Sequence, residues 1–394
     1  MNEFDIESFQ KQRKLNIKKV LIMILIAILM IGIIILISLY ISEENFRNWV
    51  DANILKKEVT VDNISSIDLK IDKSNQVYAY SKYIAVLNDK IISLYNNLGE
   101  DVNDIDINIS SALFDGNDKY LAVAEDSGQE FCLILDKLYL WGNKIEGEIR
   151  QIHVNTNGYV AVVTTDTTYK SIINFFTPDG KPLFKYYFSE SMIVDINISN
   201  DNKKMAIAEL DTTGAIMQSN IKILSIETAQ KSAEDAVIYE YNAENGKLIT
   251  KVNYQDKNKV MAMYDTTIDM IENENVSNIL TVENEKITFM SVNLENSIVY
   301  VQEEDSGIFT TKTDIKIVNI QNNRNYMYSL EEAVKSIDTY GNIIAVNVGT
   351  EMYFLNTEGY LIKKYKSNQE ITNIVLSNNI AGIIYKDKVD IVSL

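Results

Sequence analysis

His153 and Cys132 are the only histidine and the only cysteine in the 394-residue chain, so they limit the nucleophilic chemistry that it can perform. A Ser-His-Asp or Cys-His mechanism would have to use His153, and a metal site with several histidines is excluded. His153 lies in the alternating segment Arg150–Val154, which predicts a strand near the central axis of the fold, with a backbone group as the histidine's partner. Cys132 lies in an apolar strand and is predicted to be a buried, unreactive thiol.

Carboxylates could supply two other kinds of chemistry. Oxygen ligands for Ca²⁺ could come from two acidic stretches, namely Asp101, Asp104 and Asp106, and Glu303, Glu304 and Asp305. Neither stretch has the spacing of a calcium-binding loop. Asp104–Asn108 alternates instead as an exposed strand face does. A carboxylate pair for glycoside hydrolysis would meet only in the folded chain, so it stays open. We assign no catalytic, cofactor-binding or metal-binding residue, expect no cofactor, and leave open whether the chain is an enzyme.

The charge of the chain is strongly negative and unevenly distributed. The formal net charge is −18, but residues 1–19 carry five basic and three acidic residues, so residues 20–394 carry −20. Phosphate binding requires patches of lysine and arginine, and no dense basic stripe follows residue 19. Nucleic acid is therefore excluded as a predicted partner.

Residues 20–41 form an apolar run without a charged side chain. A helix of this length spans roughly 33 Å, close to the ~30 Å hydrocarbon core of a bilayer. A buried core helix is one alternative, but such helices are rarely apolar on every face. A cleaved signal peptide is another, but its apolar region is shorter and ends at an A-x-A-like site, which is missing here. We therefore predict an uncleaved transmembrane helix.

Basic residues predict the orientation of this helix. Five of them lie between Lys11 and Lys19, whereas only Arg47 follows the helix before Lys56. The positive-inside bias places residues 1–19 in the cytoplasm and the C-terminal domain outside it. The predicted organisation is a basic tail (1–19), a transmembrane helix (20–41), a stalk or linker (42–58) and an extracytoplasmic domain (59–394), in a single-pass protein of the cell membrane.

A short apolar strand, often centred on small residues, recurs eight times after residue 59, at spacings of roughly 37 to 55 residues. The occurrences are Tyr83–Val86, Tyr120–Val123, Tyr159–Val162, Met205–Ala208, Val260–Met263, Ile298–Val301, Ile343–Val346 and Ile380–Ile383. Turn residues separate β-branched and aromatic runs, which is typical of an all-β domain. A period near 40 with about four strands per unit predicts a β-propeller. Small residues would allow the inner strands of each blade to pack closely.

The flanks of the repeats predict turns and a closed ring. Asn96–Glu100, Thr177–Lys181 and Asn356–Tyr360 place a glycine at a fixed offset, which indicates a hairpin turn with positive φ. The last unit has room for about three strands, so the alternating segment Ile64–Ile71 is predicted to supply the missing outer strand. We predict eight blades; seven would result if a hairpin in the irregular region 237–280 were an insertion. A pair of β-sandwiches is the alternative fold.

Together, the basic tail, the single helix and units of the type YIAV…LYNNLGE, at residues 83–86 and 94–100, resemble a family of clostridial membrane-anchored proteins of unknown function. The resemblance covers nearly the whole chain and implies a propeller-like outer domain, but it supplies no catalytic residues. More distantly, the units are similar to WD40-like and quinoprotein-like repeats. The Trp-Asp and Gly-His pairs of WD40 repeats are absent.

These observations predict a binding module. A rigid ring on the outer face of the membrane would present its loops to a membrane or envelope protein, or to an envelope polymer. The alternative is a cell-envelope enzyme, such as a glycan lyase or hydrolase, with acidic and aromatic residues at the central funnel. A third hypothesis is a sensor, which would need a partner for signalling because a 19-residue tail is too short for a signalling domain.

Overall fold

A computed structural model describes residues 17–43, 46–47, 50, 64–69, 76–244, 246–272, 275–282, 286–305 and 311–394. The chain divides into two compact units, residues 1–59 and 60–394. Most of the predicted basic tail and of the linker lies outside the described residues.

Helix α1 is the main described element of the first unit and spans Ile17–Ser42. Its segment Leu21–Ser42 is long and apolar enough to cross a membrane, and none of that segment is buried inside the protein. A helix that is apolar on every face is normally buried in a large protein core or in a membrane, and this one is not buried in protein. By length and composition, the helix fits either a membrane anchor or a signal sequence.

The second unit is a β-propeller of eight four-stranded antiparallel blades. Strand β1 (Ile64–Asp68) precedes blade 1 in the chain. Blades 1 to 4 follow in order, with strands β2–β5 (Val77–Tyr80, Tyr83–Asn88, Ile91–Tyr95, Asp101–Asp106), β6–β9 (Ala112–Gly116, Tyr120–Glu125, Glu130–Leu135, Leu138–Lys144), β10–β13 (Glu148–Val154, Val160–Thr165, Ser171–Phe176, Pro182–Phe188) and β14–β17 (Ser191–Ile198, Lys204–Asp211, Gln218–Ser225, Val237–Asn242).

Blades 5 to 8 complete the ring. Their strands are β18–β21 (Ile249–Tyr254, Lys259–Tyr264, Thr267–Glu272, Asn275–Thr281), β22–β25 (Ile287–Leu294, Ser297–Asp305, Thr311–Asn319, Arg324–Leu330), β26–β29 (Ser336–Tyr340, Ile343–Asn347, Glu351–Asn356, Leu361–Lys366) and β30–β32 (Asn373–Leu376, Ile380–Ile384, Lys388–Ser393). The prediction of eight blades is confirmed, and the seven-blade and β-sandwich alternatives are wrong.

Burial explains why the small-residue strand repeats. This strand is the second of each blade, next to the innermost strand, and its central residues are buried on both faces, as in β7 (Tyr120–Glu125). Alanines such as Ala122 and Ala206 allow neighbouring blades to approach closely at these positions. Outer strands face solvent on one side, so β9 is mostly exposed and β5 alternates. The predicted hairpin glycines Gly99, Gly180 and Gly359 all have positive φ.

Strand β1 closes the ring, as predicted. It pairs antiparallel with β32, with Ile64 opposite Val392, and so becomes the outer strand of blade 8. Ser66 Oγ donates a hydrogen bond of 2.5 Å to Asp390 Oδ1 across this pair. Closure joins the two ends of the domain and removes an exposed sheet edge from β32. Of the predicted segment, residues 70 and 71 lie outside the described part of the chain.

The long spacing between the fourth and fifth repeats has a local cause. A short helix, α2 (Ile226–Ala229), follows the third strand of blade 4, and the Ser225 side chain caps it by accepting from the Thr228 amide. The chain then returns as the outer strand β17, and blade 5 begins at Ile249. The region 237–280 is therefore the edge of one blade followed by most of a regular blade, not an inserted hairpin.

Candidate functional site: the axial cavity

The innermost strands of all eight blades surround a cavity of ≈ 640 Å³, here called the axial cavity. Residues of the turns between first and second strands also line it, so the cavity reaches the face of the ring that carries these turns; among them are Asn117, Asn155, Asn200, Gln255, Asn296 and Asn378. Because each blade contributes its first strand, the side chains that meet here are far apart in sequence. A site at this position is therefore invisible to local motifs.

Most polar side chains on the axis bind the neighbouring blade. Asp115 Oδ2 accepts from the Val154 amide at 2.7 Å, and Asp195 Oδ2 accepts from the Val252 amide at 2.9 Å. Similar contacts link other neighbouring blades: Gly116 N to Tyr78 Oη, Gln151 Nε2 to Val194 O, Asn253 Nδ2 to Val292 O, Ser291 to Thr339, and Ser377 Oγ to Ser81 O. These hydrogen bonds join the blades and satisfy polar groups that the ring buries.

His153 lies on the axis, as predicted, but its partner is a carboxylate and not a backbone group. Its Nδ1 is 2.9 Å from Asp115 Oδ2. Burial disfavours the charged imidazole, but the charge and hydrogen bond of Asp115, together with the charge of Asp195, raise the pKa of His153 overall. Burial raises the pKa of Asp195, although Lys251, the Val252 amide and His153 act in the opposite direction. The Asp115 carboxylate therefore stabilises the protonated form of the His153 imidazole.

Asp338 supplies a second titratable group from blade 7. Burial raises its pKa to about 6, although the Thr339 amide, Lys251 and the Leu376 amide lower it. Lys251 is the one lysine among the residues that line the axial cavity, whereas five carboxylates line it: Asp115, Asp118, Asp195, Glu295 and Asp338. The cavity wall is therefore predominantly acidic.

Aromatic side chains converge at the same cavity. Tyr78, Phe114 and Tyr340 line it, and the Tyr78 and Phe114 rings stack with centroids 5.6 Å apart. Asp118, in the turn of blade 2, accepts hydrogen bonds from Tyr340 Oη at 3.2 Å and from Asn378 Nδ2 at 3.1 Å. The turns of blades 7 and 8 therefore meet that of blade 2 across one side of the ring.

The other candidates from the sequence lie away from this cavity. Cys132 is buried, as predicted, and burial raises the pKa of its thiol to about 12, which disfavours the reactive thiolate. Asp104 and Asp106 are exposed on the outer strand of blade 1, with Ile105 buried between them, as the alternation predicts. Within the described ranges, no group of three His, Cys, Asp or Glu side chains is arranged to hold a metal ion.

Sequence reasoning did not single out Asp115, Asp195, Lys251 or Asp338 as site residues. A signal was present, because each of these residues alternates with apolar neighbours in the segment that precedes a small-residue strand. Their position just before the small-residue strand of each repeat could have identified them as residues that face the central axis. Their mutual proximity, however, depends on the closure of the ring.

Comparisons with known proteins agree with this geometry. A family described as "Family of unknown function (DUF5711)" matches residues 55–394. The structure of BamB from Moraxella catarrhalis has a TM-score of 0.52 and 13% identity, and the match covers 85% of this chain and 100% of BamB. The C-terminal WD40 domain of Sif2 has a TM-score of 0.57 and 11% identity, covering 85% and 99% of the two chains. No curated protein matches the chain in sequence. At these identities the structural likeness shows the propeller fold alone.

Proposed function

We propose that this chain, which belongs to the family of unknown function DUF5711, is a membrane-anchored propeller that binds a protein or an envelope polymer outside the cytoplasm. Residues 20–41 would anchor it, residues 1–19 would lie in the cytoplasm, and residues 42–58 would link the anchor to the domain 59–394. The apolar helix and the bias of basic residues before it support this topology.

The binding role is supported by the hydrogen bonds that axial side chains make between neighbouring blades. Asp115, Gln151, Asp195 and Asn253 each bond to the backbone of the next blade, so they hold the ring together. A preorganised ring loses little conformational entropy when its turns contact a partner. The net charge of −20 after residue 19 argues against nucleic acid and anionic surfaces as ligands.

Photo-crosslinking in cells tests this role. A photoreactive phenylalanine analogue at Asn200, an exposed turn residue beside the axial cavity, should yield a reproducible crosslinked envelope component. The matched control carries the analogue at Thr167, which is exposed in a turn between second and third strands, on the opposite face. Equal labelling from both positions, or none from either, would count against a binding face at the axial cavity.

Protease treatment of intact, wall-free cells tests the topology. The domain 59–394 should be digested while residues 1–19 stay protected. Survival of the domain until lysis would reverse the proposed orientation.

One observation favours the enzyme as a second candidate: acidic and aromatic side chains converge at one cavity. Asp338, with a pKa of about 6, would suit a proton donor near neutral pH. In this case the full-length protein should turn over an envelope glycan with saturable kinetics, and Asp338→Asn should abolish turnover while the chain remains folded. Saturable turnover that survives Asp338→Asn would exclude this residue, and the absence of turnover would favour the binding role.

A further inference from the structure

A second cavity, of ≈ 210 Å³, lies between blades 4 and 5 and is here called the side pocket. Its residues are Lys204, Ile223, Ile238, Tyr239, Tyr254, Asn258, Val260 and Ile271. Ile223, Val260 and Ile271 are almost fully buried, whereas Ile238 is 45% exposed. Lys204 Nζ donates to Asn258 Oδ1 at 2.9 Å between the two blades. The side pocket therefore has an apolar interior and a partly polar lining.

The side pocket adjoins the axial cavity, because Tyr254 lines both. Its Lys204 and Asn258 lie at the ends of the turns between first and second strands, which belong to the face that the axial cavity reaches. A partner bound over that face would therefore have the side pocket within reach.

The side pocket lies at a register where the preceding interface holds an aromatic ring and this interface does not. In blade 3, Phe175 lies opposite Ala161 of the small-residue strand. In blade 4, Ile223 lies opposite Ala206 at the equivalent register. Phe175 stacks on Phe184 with centroids 5.1 Å apart and fills the space between blades 3 and 4. Ile223 is smaller than a phenyl ring, so the space between blades 4 and 5 stays open.

A second exchange alters the wall of the same space. Met205 pairs with Ile198 in blade 4, and Val260 pairs with Tyr254 at the equivalent position in blade 5. Met205 packs in the apolar cluster between blades 3 and 4, and Val260 in the cluster between blades 4 and 5. This strand pair thus carries the shorter Val260 and the larger Tyr254 ring in place of Met205 and Ile198.

Tyr254 supplies a polar group at this position. Its side chain packs in the same apolar cluster as Ile223 and Val260, and the residue is 7% exposed. Its hydroxyl has no hydrogen-bond partner among the residues that the structure describes. A buried hydroxyl without a partner destabilises the folded state, because it has lost its hydrogen bonds to water. An occupant that carries a hydrogen-bonding atom would remove this cost.

We propose that the side pocket binds one tyrosine-like side chain of a polypeptide partner, with the ring in the place that Phe175 occupies in the preceding interface. The pocket is larger than the ~150 Å³ cavity that admits benzene in a protein core, so one aromatic ring fits. The phenol hydroxyl of the occupant bonds to Tyr254 Oη, and its backbone stays at the rim. This inference rests on the proposed binding role, and it specifies the partner's chemistry.

A small peptide probe tests the pocket directly. The blocked tripeptide Ala–(3-fluorotyrosine)–Ala is titrated with the full-length protein in detergent micelles and followed by ¹⁹F NMR. Ile223→Phe with Val260→Met rebuilds the side chains of the preceding interface and should weaken binding at least tenfold. Tyr254→Phe should weaken it roughly 2- to 10-fold, the effect of one hydrogen bond. The control Leu98→Phe adds a ring at an exposed turn of blade 1 and should change nothing.

Two results would overturn the inference. One is no saturable binding to the wild type below about 10 mM peptide; the other is unchanged binding to the filled double variant. Urea unfolding checks that this variant folds, and Val260→Met alone replaces it if it does not. Crosslinking from Asn200 separates the two proposals. A crosslinked partner without peptide binding contradicts the pocket alone, and peptide binding without any partner contradicts the binding role alone.

Discussion

The interface between blades 3 and 4 and the interface between blades 4 and 5 use the same registers but are packed differently. The first contains a continuous aromatic series, in which Phe175 contacts both Tyr159 and Phe184 with centroids 5.9 and 5.1 Å apart. The second contains Ile223 and Val260 at two equivalent positions and leaves a cavity of ≈ 210 Å³. The two interfaces thus share their backbone pairing but differ in side-chain size at equivalent positions.

The two interfaces also differ in charge. Between blades 3 and 4, Lys222 Nζ lies 2.8 Å from Glu209 Oε1, and the lysine also lies over the Phe188 ring. Alternation along β16 (Gln218–Ser225) explains the difference, because Ile221 and Ile223 point toward blade 5 while Lys222 points toward blade 3. The first interface is therefore filled and contains an ion pair, whereas the second contains a cavity.

Loss of the aromatic ring should have the largest effect on stability. Phe175→Ala should lower the free energy of unfolding by about 3–5 kcal/mol, because it opens a cavity in a filled interface. Ile223→Ala should cost only about 2 kcal/mol, the low end for such a change, because the cavity beside it already exists. Urea unfolding of the full-length variants measures both values. Equal losses would show that the two interfaces are equally well packed.

Disruption of the ion pair between Lys222 and Glu209 should have the second-largest effect on stability. Lys222→Met leaves Glu209, which is fully buried, without its cation, and should cost about 2–3 kcal/mol because the Lys222 side chain is 19% exposed. Burial disfavours the charged lysine, but the hydrogen bond and charge of Glu209 raise the pKa of Lys222 overall. The pair's contribution is therefore complete below the ordinary lysine pKa of about 10.4 and is lost as pH rises through the raised value.

The double variant Lys222→Met with Glu209→Gln is the control for this prediction. It should recover most of the lost stability and show a weaker loss at alkaline pH than the wild type in urea unfolding. A single variant as stable as the wild type at pH 7 would contradict the prediction.

Filling the open interface should have a smaller effect of opposite sign. Ile223→Phe with Val260→Met should raise the free energy of unfolding by about 0.5–2 kcal/mol, because the new side chains occupy existing space. Urea unfolding measures this change. The control Leu98→Phe adds apolar volume to an exposed turn and shows how much of the change is due to the added ring and not to filling the cavity. A destabilised double variant would show that the side pocket does not accept a ring in this rotamer.

Removal of one oxygen atom should have the smallest effect. Tyr254→Phe deletes a buried hydroxyl that has no partner among the described residues, so it should be neutral or stabilising by up to about 1 kcal/mol. A loss of more than about 1 kcal/mol in urea unfolding would show that the hydroxyl makes a stabilising hydrogen bond.

Much of this architecture could be predicted because it repeats. The recurrence of segments such as Tyr120–Val123 predicted the blade number, and the short last unit predicted that the segment Ile64–Ile71 supplies the missing outer strand, which the structure forms over Ile64–Asp68. The partner of His153 could not be predicted, because Asp115 lies in another blade and reaches it only across the interface. The side pocket also escaped prediction, since it results from Ile223 and Val260, which are ordinary strand residues.

The sequence by itself therefore determined the fold class, the number of repeats, the closing strand and an apolar helix able to span a membrane. Each of these depends on periodicity, turn residues or hydrophobic length, which are local along the chain. The tertiary structure alone decided which carboxylates meet at the axis, which pKa values burial raises and which interface stays open. These properties depend on distances between side chains from different blades, and those distances exist only once the ring has closed.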